Sequence, residues 1–296
     1  MSEEITSLRS CASCGIAEID DIKLKDCSAC DLVRYCSDDC KQIHKAQHSK
    51  ACRERAAELR DELLFKQPEG THLGHCPICC LPLPLDLKKC GMTSCCSKAI
   101  CKGCVLANKK REKEMRLEQS CPFCRETNPE TDEESDQLRM KRVEVNDPIA
   151  LLDEGTAQCL KENYIKAFEY WNKAAELGSA DAHCKLSVMY YNGEGIEEDK
   201  GMGIYHAEEA AIGGHPRARY LLGSHDLEND NTERAVKHFI IAAKQGFGGS
   251  MKALMEFFKV GLVEKDILTS TLRDHQAAVD ATKSPQREAA AQYYGY

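Results

Sequence analysis

Cysteine pairs separated by two residues fill the first half of this chain, and an Ala-Ala pair recurs at a steady interval through the second. With an acidic stretch between the halves, these observations predict small zinc-stabilised modules followed by an all-α helical-repeat solenoid. Seventeen of the 19 cysteines lie before residue 125, and Cys159 and Cys184 alone follow.

The bulk numbers narrow the partners. The chain has 296 residues, 40 Lys plus Arg and 48 Asp plus Glu, for a formal charge of −8. An acidic chain repels nucleic acid unless it carries a basic patch. The densest basic run, Lys109-Lys110-Arg111-Glu112-Lys113, is interrupted by glutamate and reads as a solvated helix face. The start, MSEEITSLRS, has no apolar signal core, and no apolar run approaches the ~18 residues that span a bilayer. No membrane partner is expected. The cysteines then belong in a reducing compartment, cytosol or nucleus, where such pairs bind metal rather than form disulfides.

The first module runs over residues 11–52. It reads Cys11-x2-Cys14, Cys27-x2-Cys30, then Tyr35-Cys36-x3-Cys40-x7-His48-x3-Cys52. Eight soft ligands suffice for two tetrahedral zinc ions, and metal explains how so short a segment folds. Spacing leaves two assignments open. Sequential pairing joins Cys11, Cys14, Cys27 and Cys30; interleaved pairing joins Cys11, Cys14, Cys36 and Cys40, leaving Cys27, Cys30, His48 and Cys52. His44 stands four residues from both Cys40 and His48 and is read as a bystander. The pattern as a whole resembles the MYND-type zinc finger, and that resemblance implies the interleaved pairing.

MYND fingers bind short proline-rich peptides, commonly through a Gln directly after the sixth ligand and a Trp four residues on. Here those positions hold Lys41 and Lys45. Lysine offers no aromatic wall for proline, so an acidic or otherwise different peptide is the expected partner at these residues.

Residues 53–74 read as a helical linker. RERAAELRDELLFK forms a short amphipathic helix packed back on the finger, and Gln67–Thr71, with Pro68 and Gly70, breaks it. The second module covers 75–125 and contains three clear pairs, Cys76-Cys79, Cys101-Cys104 and Cys121-Cys124. With Cys96 five residues before Cys101, it resembles a RING-type finger. Under that cross-braced pattern Cys76, Cys79, Cys101 and Cys104 hold one zinc, while Cys121 and Cys124 help to hold another. A RING normally has a histidine where this chain has Lys98, which is no structural zinc ligand. Either Cys95 and Cys96 supply the missing two donors, the preferred choice, or Cys90 replaces one. Cys80 is read as a buried small hydrophobe or spare thiol, and His75 as a surface residue.

A RING performs no chemistry of its own. It holds a ubiquitin-charged conjugating enzyme in position. The resemblance assigns partner contacts to Ile78, Pro122 and Arg125.

Residues 126–146, opening with ETNPETDEESDQ, read as a mobile acidic linker. The repeats follow over 147–282. Ala174-Ala175, Ala210-Ala211, Ala242-Ala243 and Ala277-Ala278 mark the second helices, and Gly155, Ser187, Gly223 and Phe258 the first. Four helix pairs result, with a period of about 32–36 residues and two insertions. One insertion is the loop from Gly193 to Lys200; the other surrounds Phe247-Gly248-Gly249. Asn146-Asp147-Pro148 caps the first helix, and Gly178, Gly213-Gly214 and Gly246 end helices in the left-handed conformation. Small residues at Gly155, Ser187 and Gly223 let partner helices approach. The segment resembles Sel-1-like repeats, relatives of tetratricopeptide repeats, which bind protein partners. Tyr170 and Trp171 are read as interhelix packing, Cys159 and Cys184 as core thiols. Residues 283–296 are read as a frayed helix and tail.

Two functions fit. One is a protein-interaction adaptor without catalysis, holding two zinc ions in each cysteine-rich module. The other is a RING-type ubiquitin ligase that recruits a conjugating enzyme. No residues suggest a nucleophile of the chain's own.

Overall fold

The computed structural model describes residues 10–19 and 21–296, and the chain divides into two units, Met1–Lys66 and Gln67–Tyr296.

In the first unit, β1 (Lys25–Asp26) and β2 (Arg34–Tyr35) pair antiparallel with Lys25 opposite Tyr35. Helix α1 (Asp38–Leu64) follows. Ser37 caps it by accepting the Cys40 N–H at 3.2 Å, and Asp38 and Asp39 face the positive end of the helix. The small core is largely sulfur: Cys11, Cys27 and Cys30 bury with Leu24 and Tyr35. The expected separate helix after residue 53 is instead the continuation of α1. Residues 53–64 contribute nothing to this core among the described residues, because a straight helix carries them onward and cannot fold them back.

The second unit begins with the second cysteine-rich module. A short 3-10 turn (Leu87–Lys89) leads into a hairpin of β3 (Cys90–Met92) and β4 (Ala99–Cys101), with Cys90 opposite Cys101, and then helix α2 (Lys102–Met115). Leu83 and Ile100 bury among Cys76, Cys101 and Cys104.

The acidic stretch read as a linker is helical from Asp132. Helix α3 (Asp132–Glu144) is capped by Thr131 Oγ1, which accepts the Glu134 N–H at 3.1 Å. Its acidic residues crowd the first turn, where they complement the helix dipole. Arg139 ties it to Glu154 at 3.0 Å.

The solenoid comprises α4 (Pro148–Leu160), α5 (Tyr164–Glu176), α6 (Ala180–Asn192), α7 (Lys200–Ile212), α8 (Pro216–Glu228), α9 (Thr232–Lys244), α10 (Gly248–Lys259) and α11 (Lys265–Ala281). Asp147 caps α4 by accepting the N–H groups of Ile149 and Ala150, with Pro148 in the first turn. Gly178, Gly214 and Gly246 are left-handed, whereas Gly213 has φ −67 and only precedes the reversal. Pairs α4–α5, α6–α7 and α8–α9 pack through Ala174-Ala175, Ala210-Ala211 and Ala242-Ala243, which are almost wholly buried. The fourth expected pair differs, since on α11 Ala277 is exposed and Ala278 half-buried.

The fourth marker is displaced. Helix α10 starts after the same short connection as α6 and α8, so no insertion surrounds Phe247. Counted from the helix start, Met255 takes the place of Gly155, Ser187 and Gly223. Phe258 lies further along and is 40% exposed. The extra length belongs to the α10–α11 connection and to the longer α11.

The tail holds the expected helix, packed rather than frayed. Pro285–Tyr294 forms α12, started by Ser284 Oγ accepting the Arg287 N–H at 3.2 Å, and it packs on α2. Nothing local announces a contact between segments so far apart in sequence. No helix among the described residues is long and apolar enough to cross a membrane.

Candidate metal centres and their surroundings

The finger's eight predicted donors fall into two groups. Cys11, Cys14, Cys36 and Cys40 form one, and Cys27, Cys30, His48 and Cys52 the other; within each group the donor atoms lie within 4.8 Å of one another. This is the interleaved arrangement. It follows from β1–β2, which brings the start of α1 beside the first knuckle, and from α1, whose helical spacing carries His48 and Cys52 to the second.

The second module also gives two groups: Cys76, Cys79, Cys101 and Cys104, then Cys95, Cys96, Cys121 and Cys124. Neighbours in an extended strand point to opposite faces. Cys95 and Cys96 escape that constraint in the turn between β3 and β4, closed by the Ser97 N–H to Thr93 carbonyl bond at 2.9 Å. Cys90 stands outside both groups, its Sγ 3.7 Å from the Pro84 carbonyl, and burial pushes its thiol up to about 11. Cys80 is exposed rather than buried. His75 is exposed. His44 is no donor; its Nδ1 pairs with the Tyr35 hydroxyl at 3.1 Å.

The donor sets fit zinc. Bonds of about 2.3 Å to tetrahedral corners place sulfurs about 3.8 Å apart. The sulfur pairs Cys14–Cys36, Cys27–Cys52, Cys79–Cys101 and Cys96–Cys121 lie 3.6, 3.8, 3.8 and 3.9 Å apart. Their electrostatics also suit a cation. Against its burial, Cys11 is lowered to about 6 by the backbone N–H groups of Cys14, Cys36 and Ser13. Its neighbour Cys36 is pushed up to about 12 by its hydrogen bonds with Cys14 and Cys40. One thiol of such a group ionises readily and the next resists, and a divalent ion removes the resistance.

After each of the knuckles Cys11–Cys14, Cys27–Cys30, Cys76–Cys79 and Cys121–Cys124, the next residue turns left-handed: Gly15, Asp31, Cys80 and Arg125. Arg125 thus closes its knuckle, and its guanidinium donates to Asn108 Oδ1 at 3.2 Å. Ile78 is 42% exposed and Pro122 is half-buried. On α1, Lys41 and Lys45 are both exposed, and Ile43 between them is 74% exposed.

One cluster escaped the sequence reading. Asp181, at the start of α6, meets His72 Nε2 at 3.2 Å and His215 Nε2 at 3.4 Å. His215 Nδ1 accepts the Ala218 N–H as the cap of α8, which assigns its proton to Nε2 and makes it a donor to Asp181. Although burial opposes it, the two imidazoles hold the Asp181 carboxyl well below the usual range. The trio clamps the loop before the second module to the solenoid, aided by Gln245, which donates to the carbonyls of Gly70 and Gly214. Beside it lies a cavity of about 330 Å³ lined by Leu85, Trp171, Cys184, Lys185, Arg217 and Phe247. Its parts come from distant segments, which hides it from local patterns.

Comparison with known proteins agrees with this geometry. The MYND finger family matches residues 11–52, and the Sel1 repeat family matches 150–179, 180–215 and 217–247. The chain therefore carries a MYND zinc finger and three Sel1 repeats; the helices after residue 247 continue the pairing beyond the matched repeats. Over 86 residues the chain is 33% identical to Chitin synthase regulatory factor 4 of Schizosaccharomyces pombe, a stretch that covers 29% of this chain and 14% of that protein. A Sel1 repeat protein from Oxalobacter formigenes aligns with TM-score 0.44 at 22% identity, over 55% of this chain and 66% of its own. A protective antigen present in uropathogenic Escherichia coli strains, displaying an SLR fold, aligns with TM-score 0.34 at 18% identity, over 56% and 49%.

Proposed function

We propose that this chain is a zinc-dependent adaptor: its two cysteine-rich modules and its solenoid each hold a protein or peptide partner. The observation that carries this reading is the fourfold donor set. Four protein ligands complete a tetrahedral zinc and leave no position for a reacting water, so each ion would build a rigid surface rather than supply chemistry. In this reading the finger groups hold two zinc ions and the second-module groups another two. The Sel1 repeats supply a further binding surface, and the similarity to a protein named as a regulatory factor fits a regulatory, partner-binding role. Free thiols at such sites suit the cytosol or nucleus.

The finger's partner is proposed to be an acidic peptide lying along α1, attracted by Lys41 and Lys45, which share one helix face. Titrating zinc-loaded protein with acidic and proline-rich peptides tests it. Acidic peptides should bind in a salt-dependent manner, and Lys41→Glu with Lys45→Glu should abolish that binding. Equal binding of both peptide classes, unaffected by the substitutions, would remove this partner.

A ubiquitin ligase is the second reading. The alternating donor order of the second module favours it, with Ile78 exposed on the first knuckle and Arg125 exposed after the last. Incubation with a broad panel of conjugating enzymes discriminates. Chains whose yield falls with Ile78→Ala or Arg125→Ala would establish a ligase; no chains with any enzyme would leave the adaptor.

A further inference from the structure

Helix α12 rests on α2 beside the metal group Cys76, Cys79, Cys101 and Cys104. The approach depends on Gly103, which lies between two of those cysteines. A Cβ there would come within 3.0 Å of the Arg287 backbone nitrogen and Cγ and 3.1 Å of its Cα. Arg287 then reaches into the module. Its guanidinium donates to the carbonyls of Pro82 at 2.7 Å, Leu81 at 3.2 Å and Thr282 at 2.7 Å, and to the Sγ of Cys79 at 3.4 Å. The Leu81 carbonyl also accepts the Cys76 N–H at 2.9 Å, so one guanidinium braces the whole first knuckle. Further along the same interface, Lys102 Nζ lies 5.5 Å from the ring centroid of Tyr294.

The charges explain why an arginine stands there. Four thiolates around one divalent zinc leave two negative charges. Cys76, Cys101 and Cys104 are at most 4% exposed, so water does little to screen them. Buried charge of this kind needs a paired cation and hydrogen bonds. A guanidinium provides both at once, through a planar fork that spans several acceptors. Partners of metal ligands also fix how tightly the ion is held.

We infer that Arg287 is an outer positioning residue of this metal centre, and that α12 is a latch whose docking on α2 and the retention of metal by Cys76, Cys79, Cys101 and Cys104 stabilise each other. The inference rests on the zinc reading of those four sulfurs. Such coupling is reciprocal: losing the metal loosens the latch, and freeing the latch hastens metal loss. Departure of α12 would uncover the face of α2 around Gly103.

The test uses the full chain loaded with zinc. Release into an excess of chromogenic chelator counts the ions and gives the rate of each. Arg287→Ala should speed release of one ion by about 10–100-fold and leave the others unchanged, with Arg287→Lys recovering part of the loss. Gly103→Val, which pushes α12 away while keeping the arginine, should act alike. Hydrogen exchange over 285–294 gives the reciprocal reading. Protection should vanish in Cys76→Ser but survive in Cys124→Ser, which disrupts the other group. Wild-type release rates in both Arg287→Ala and Gly103→Val, or equal protection of α12 in the two cysteine variants, would overturn the latch. Should Arg287→Ala unfold the unit, the cysteine pair still decides. A protein that contains no zinc before any substitution would refute the zinc reading itself, a separate result.

Discussion

The Trp171 indole lies over Gly155 so closely that a Cβ at Gly155 would sit 2.5 Å from the ring. Trp171 is 4% exposed, and its Nε1 donates to the Leu152 carbonyl at 3.3 Å, which fixes the ring against α4. Gly223 stands in the same relation to Phe239, where a Cβ would lie 2.9 Å from the ring. Gly155→Ala is expected to cost about 1–3 kcal/mol by overpacking. Gly248→Ala, at a helix start with open space around it, should be neutral or stabilising by up to ~1 kcal/mol. Trp171 is the single tryptophan of the chain, so its fluorescence follows this helix pair alone during denaturation. A Gly155→Ala midpoint equal to that of wild type would refute the packing argument.

The metal centres make a prediction about Cys95 and Cys90, two cysteines five residues apart with different surroundings. Cys95 Sγ lies 3.4 Å from Cys124 Sγ within a group of four donors, whereas Cys90 faces a carbonyl. Native mass spectrometry should count four zinc ions in the wild type and in Cys90→Ser, and three in Cys95→Ser. Loss of an ion in Cys90→Ser, with Cys95→Ser intact, would exchange their roles. Zinc binding should also weaken on acidification, because protons compete for the same thiolates.

How much of this could be read from residues alone depended on the range of each signal. The knuckles and the first three Ala pairs were legible because a metal ligand pair and a helix face are both set within a few residues, whereas Ala277 on the longer α11 is exposed. Gly155 and Gly223 were legible for the same reason. Phe258 misled because an aromatic residue can fill a marker's place in a count without filling it in space; the helix start at Gly248 sets the true register. The acidic run before Arg139 was read as solvated chain, since charge density alone does not distinguish a linker from a helix N-terminus. Arg287, His72 and Asp181 were invisible. Each acquires its role from a segment far away in the chain, and no local pattern encodes the partner.

Lys41 and Lys45 give a prediction about specificity. Both are exposed on α1 one helical turn apart, on a scaffold whose donors match the MYND arrangement. Lys41→Gln combined with Lys45→Trp should convert the finger towards proline-rich peptides and weaken its hold on acidic ones. The indole supplies an apolar wall for proline, and two positive charges are removed. Calorimetric titration of the double variant with both peptide classes checks this. Retained preference for acidic peptides would show that α1 does not carry the selection.

His206 sets a pH dependence for the solenoid. It is 5% exposed, its Nδ1 lies 2.9 Å from His183 Nδ1, and its ring stacks on Tyr190 with centroids 5.5 Å apart. Two facing ring nitrogens form one hydrogen bond only while at least one imidazole is neutral. Burial, reinforced by repulsion from His183, lowers His206 to about 4, and Glu209 opposes the shift only in part. Its ordinary value is 6.5. Between those values the unfolded chain binds the proton and the folded chain does not. Stability is therefore fully present above pH 6.5 and is lost as pH falls towards 4, by on the order of 3 kcal/mol. His206→Gln should be less stable at neutral pH yet show a flatter acid limb, measured as Trp171 fluorescence in denaturant titrations at each pH. Comparing variant with wild type at equal zinc cancels the acid release of metal. If the two limbs ran parallel from pH 6.5 to 4, His206 would not be the buried group that responds.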